Sequence, residues 1–181
     1  MKAKILRLAS AWFDFDAAES IAKTVISQYG QHDSSENVLG LHRDPIFSSL
    51  QMSCVVSYAR PFTENHGMGT LSGKQSSYQR QDWQQLHEDM LSLRHKLFAH
   101  SDIDFRSILV TPSRNSIGGI QADRFGLSAT SILLSWPQFL SIQDMCANRK
   151  AILWPEIQYL LGQLYPGVGE PYMPVILNKT P

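Results

Sequence analysis

Cysteine is scarce in this chain of 181 residues: Cys54 and Cys146 are the whole supply. Two thiols so far apart in sequence give neither a disulfide framework nor a zinc-ligand spacing, so a reducing compartment is expected. Charge is also sparse and balanced, with 16 Lys+Arg against 16 Asp+Glu and 18% charged residues. That balance excludes nucleic-acid binding by bulk positive charge, which scales with the number of phosphates neutralised. Long apolar runs are missing as well. Nowhere do about 18 uncharged apolar residues follow one another, as a membrane span requires. The basic start, Lys2, Lys4 and Arg7, is interrupted by Asp14 and Asp16 before a signal-peptide core develops, and the expected location is the cytoplasm. No internal repeat and no Walker, dinucleotide or nucleophile-elbow motif occurs. The stretch from Asn65 to Ser77, with Gly67, Gly69, Gly73 and a single Lys74, reads as a loop.

What the chain does contain is enough apolar material for one core. Its 43% hydrophobic residues exclude disorder, and a chain of this length buries roughly 70% of its unfolded surface, so a single domain over residues 1–181 is expected. Ala18, Ile21, Ala22, Val25, Ile26 and Tyr29 recur at helical spacing and predict a first helix of about four turns, capped by Asp14 or Asp16 and closed at Gly30. Asp44-Pro45 supplies an N-cap and first-turn pair for a second helix, whose apolar face of Phe47, Leu50, Cys54, Val55 and Tyr58 runs to Arg60-Pro61.

A third helix is predicted from Arg80 to Ala99. Trp83, Leu86, Met90, Leu93 and Leu97 fall within roughly 80° of one another at ~100° per residue and form a core stripe. Beside it lies a second stripe, His87, Leu91, Arg94 and Phe98. The combined arc is wider than one neighbouring helix needs, which predicts contact with a further helix or a second subunit.

Beyond Asp102 the pattern becomes β-rich. The run Phe105 to Thr111, expected to stop at Pro112, and a second run around Phe125 to Leu134 predict a hairpin within an insertion at about residues 105–134, although Ile132 to Leu134 fit the start of a helix equally well. Ser135 and Pro137 mark another cap. The apolar series from Phe139 to Leu164 is helical, with Pro155 predicting a kink or break near its middle, and an extended tail is expected over about residues 166–181. The fold class expected is mainly α, an antiparallel bundle of four to five helices with a small β-hairpin insertion.

The chemistry-bearing segment is Leu93-Arg94-His95-Lys96-Leu97-Phe98-Ala99-His100-Ser101-Asp102. It resembles the HEPN superfamily of small helical-bundle proteins, whose signature is an arginine, a polar residue after it, and a histidine four to six residues further on. Arg94 matches the arginine, His95 the polar position and His100 the histidine; Ala99 to Asp102 also resembles the Ala-His-Ser-Asp ending of abortive-infection-like members. The resemblance implies a metal-independent endoribonuclease of toxin or phage-defence type, using no cofactor, with a composite site at a homodimer interface and a possible antitoxin protein as partner.

Such cleavage needs a group to accept the ribose 2′-OH proton and a fixed cation for the charge developing on phosphate, tasks that suit histidine and arginine. On one helix Arg94 and His100 stand roughly 120° apart around the axis and ~9 Å along it, so they converge only through pairing of two copies or a break after Ala99. Arg60 in Tyr58-Ala59-Arg60-Pro61-Phe62, His87 and Asp102 are candidate substrate contacts, and the locally basic insertion with Arg106, Arg114 and Arg124 is a further candidate for RNA backbone. Structural roles stand beside these: Arg94 pairing with Asp102 or another carboxylate, His100 at a helix C-terminus, His87 as an interface histidine. Several toxins of the superfamily carry a tyrosine two residues after the histidine; Asp102 occupies that position here, so modification there is not supported. The histidines show no diagnostic metal-ligand spacing. The alternative reading is a non-catalytic helical dimer that binds RNA, a nucleotide or a protein partner.

Overall fold

In a computed structural model, residues 1–30, 44–64, 69–98, 106–114, 120–129 and 134–166 are described. Among them are four long helices: α1 (Lys2–Tyr29), α2 (Pro45–Ala59), α3 (Gln81–Phe98) and α4 (Trp136–Leu164). Between α3 and α4 lie β1 (Arg106–Arg114) and β2 (Ile120–Ala129), paired antiparallel.

The first helix is twice as long as its clearest apolar stretch predicts. Ile5, Leu8, Ala11, Phe15, Ala18, Ala22 and Val25 are buried along one face at spacings of three and four, so the stripe starts well before Asp14. Asp14 and Asp16 are therefore interior helix residues and not caps. They flank the buried stripe and hold other elements through ion pairs, Asp14 with Arg60 and Asp16 with Lys150.

Those pairs also fix direction. Lys4 meets Glu156, Asp16 and Glu19 meet Lys150, and Gly30 meets Trp136, so α1 and α4 run antiparallel along nearly their whole length. The second helix is likewise antiparallel to α1: Asp14 faces Arg60, the Ala18 carbonyl accepts from Cys54 Sγ, and Tyr29 donates to Asp44. Phe15, Tyr58, Phe47, Met90, Phe139, Met145 and Leu153 lie in the one core these helices enclose.

The other two predicted caps form. Asp44 Oδ1 accepts from the backbone N–H groups of Ile46 and Phe47, and its carboxyl is held below the usual range by the Ile46 bond above all. At α4 the Gln138 side chain accepts from the Ser135 backbone N–H at 2.8 Å, with Pro137 in the first turn.

Three expectations change. Gly30 closes α1 at φ −66° and is not itself left-handed. Its lack of a side chain instead makes room for Trp136, whose ring would stand 2.4 Å from a Cβ at that position. Gly30→Ala is accordingly expected to lower stability by about 1–3 kcal/mol, the range for overpacking. Trp136→Leu in the same chain should recover part of the loss; equal midpoints for Gly30→Ala and the parent protein in urea unfolding would refute the clash. Pro112 does not stop β1. The ladder continues past it with a register shift between Thr111 and Pro112, the local adjustment that a residue without an N–H demands. Pro155 does not break α4 either. It lies on an exposed face with Ala151, whose carbonyl loses the usual helical donor but remains open to water.

Candidate functional site

The end of α3 carries the motif. Arg94 is half-buried and His95 is exposed. The backbone continues helical through Phe98, while His100 and Asp102 lie outside the described residues.

About two turns earlier on the same side, His87 has a different setting from the one expected of a substrate contact. It is 4% exposed. Tyr58 lies within hydrogen-bond distance of Nδ1 at 3.0 Å, Phe62 packs edge-on at 4.5 Å between ring centroids, and Tyr78 closes another side at 5.6 Å. Burial, with the nearby Arg149 charge adding to it, lowers the imidazole pKa from 6.5 to about 4. His87 is thus neutral at pH 7 and enclosed by its own chain. The second stripe of α3 is in this part covered by the segment after α2, not left open for another subunit.

Arg149 and Tyr78 belong to the same cluster and were not singled out from sequence. Arg149 is 1% exposed; its guanidinium stacks on the Tyr78 ring at 3.7 Å and donates to the Ser77 carbonyl at 2.6 Å. The Tyr58 and Tyr78 hydroxyls are 3.1 Å apart, and burial pushes both phenols up. The signal was present in α4: Ile142, Met145, Arg149 and Leu153 recur at spacings of three and four, placing one charged residue on the buried stripe. The cysteines are silent by contrast. Cys54 and Cys146 are both buried, and burial takes the Cys54 thiol up to about 12 and Cys146 well above its ordinary value, so neither is a nucleophile near neutral pH.

Arg60 sits on the opposite flank of the 3₁₀ turn Arg60–Phe62. It is half-exposed, and Nη1 donates to Asp14 Oδ1 at 2.7 Å. This pair forms one side of a cleft of about 290 Å³ between α1 and that turn, lined by Arg7, Ser10, Phe13, Asp14, Arg60 and Gly69 among others. Burial raises the Asp14 carboxyl above its ordinary value, partly countered by the Arg60 charge. Arg60 is thus paired with a carboxylate of α1, and among the described residues none of α3 lines that cleft.

Among the described residues, no group of three or more His, Cys, Asp or Glu side chains converges as metal ligands, and no helix is long and apolar enough to cross a membrane. No protein-family model, curated protein or solved structure matches this chain.

Proposed function

We propose that this protein is a metal-independent endoribonuclease of HEPN type, acting as a toxin or phage-defence effector, with its active site completed by a second copy. The observation that carries the reading is the spacing Arg94-His95-x4-His100-Ser101-Asp102 at the end of a helix, with Arg94 half-buried beside an apolar stripe. In this reading His100 accepts the 2′-OH proton, the 2′-oxygen attacks phosphorus, and the bond to the 5′-oxygen breaks as that oxygen takes up a proton. Arg94 donates to the phosphate oxygens as charge grows on them, and His95 orients the pair. Asp102 contacts the substrate from the following residues. In this reading two copies supply the pair, because on one uninterrupted helix Arg94 and His100 would stand on different sides. The role of the hairpin is to offer backbone contacts from its arginines.

The test is cleavage of structured and single-stranded RNA in EDTA. Wild-type protein should produce 2′,3′-cyclic phosphate and 5′-hydroxyl ends, and Arg94→Ala and His100→Ala should each lose about 10²–10³ of the rate. Intact RNA with wild type, or equal cutting by both variants, removes the catalytic reading. RNA that is bound but not cut would favour the alternative of a non-catalytic dimer.

A further inference from the structure

The Arg7–Arg60 cleft has chemistry of its own that the ribonuclease reading does not use. It is concave, about 290 Å³ in volume, and close to the lower size of small-molecule sites. Among the described residues that line it, two guanidinium groups stand against the one carboxylate of Asp14, one positive charge in excess. Arg60 is oriented by Asp14 Oδ1. Arg7 makes no ion pair among the described residues, and its Nε is buried with no hydrogen-bond partner there.

Gly69 completes the wall. It adopts φ +71°, a conformation other residues rarely take, and brings its backbone against the Arg7 side chain, a Cβ there standing in ordinary contact at 3.5 Å from Nη1. At the rim, Phe13 is 68% exposed with its ring edge-on to Trp12, an unusual position for a large apolar side chain with no covering partner among the described residues.

We propose that this cleft binds a small organic phosphate of the nucleoside 5′-monophosphate class. The two arginines take the phosphate, whose dianion matches two planar donor forks. Asp14 Oδ2, not used by Arg60, accepts from a sugar hydroxyl. Phe13 offers its face to the base. A monocarboxylate would leave one guanidinium unmatched, and inorganic phosphate would leave Phe13 and Asp14 unused.

Titration calorimetry of the full chain with AMP, adenosine and inorganic phosphate tests this separately from RNA cleavage. AMP should bind, with adenosine and inorganic phosphate each at least about tenfold weaker, as expected for loss of charged hydrogen bonds or of base and sugar contacts. Arg7→Ala and Phe13→Ala should each weaken AMP by about tenfold while retaining the wild-type melting temperature; Phe13 is exposed, so that variant keeps the test open if Arg7→Ala fails to fold. No AMP binding at millimolar concentration, equal binding of inorganic phosphate and AMP, or unchanged AMP affinity in a folded variant overturns the proposal. So does a short single-stranded RNA with hydroxyl ends that binds as tightly as AMP through Arg7.

Discussion

Acidification from pH 6.5 to 4 is expected to lower the stability of this fold by about 3 kcal/mol through His87 alone. In the unfolded chain the imidazole takes up its proton near 6.5, whereas in the folded chain it does so only near 4. Between those values the unfolded state binds more protons, so stability is complete above 6.5 and falls as the pH falls. The cause is the closed setting: Tyr58, Tyr78 and Phe62 surround the ring, and the buried Arg149 opposes a second positive charge there. Among the described residues, Glu88 on the same helix acts the other way. Glu19, whose burial is outweighed by the hydrogen bonds and charges of Lys23 and Lys150 taken together, is held below its ordinary value and adds its own loss at lower pH. Urea unfolding across this window should therefore show a slope that His87→Gln removes. The same slope in both proteins would place the acid sensitivity elsewhere.

Tyr58→Ala is expected to cost about 4 kcal/mol, the middle of the range for removing a buried aromatic ring. Tyr58 is fully buried against Phe15, Phe62 and His87, joining α1, α2 and α3 at one point. Its hydroxyl also links Tyr78 to His87 Nδ1. A neutral imidazole either accepts or donates at Nδ1, and the tyrosine hydroxyl accommodates both. Tyr58→Phe keeps the ring, leaves the buried His87 Nδ1 without this partner and removes one of two from the part-buried Tyr78 hydroxyl, which keeps Arg149, for an expected loss of about 2 kcal/mol. Comparing the two variants by denaturant midpoint separates packing from polar satisfaction. A Tyr58→Phe protein as stable as the parent would show that the hydroxyl chain contributes nothing net.

Local signals were the most legible ones in this sequence. Asp44-Pro45 and Ser135 with Pro137 mark helix starts because a cap is decided by neighbouring backbone groups. The apolar faces of α2 and α3 were readable for the same reason, periodicity being a property of one segment. What failed was anything decided by a distant residue. Asp14 and Asp16 look like caps until Arg60 and Lys150 are seen opposite them, and Gly30, which does close α1, owes its missing side chain to Trp136 packed against it. His87 seemed available to a substrate because the loop that buries it carries Tyr78, an aromatic in a polar stretch with no periodicity to announce it. Of the candidate site, Arg94 and His95 lie on the described part of α3 while His100 and Asp102 fall outside the described residues, and the cleft beside Arg60 was invisible because Arg7 and Arg60 belong to different elements.

The pairing of α1 with α4 has a bearing on how the chain reaches its native state. The contact of Asp16 with Lys150 closes a loop of 134 residues, for which chain entropy opposes closure by about 4 kcal/mol. During synthesis α1 and α2 can dock as soon as both have left the ribosome, but the stripe from Ile5 to Val25 stays open along its other side until α4 emerges. Folding of this helical protein should thus be paced by a late, non-local docking step and not by helix formation, slower than its secondary structure alone suggests. In that interval the first helix is the segment most in need of a chaperone.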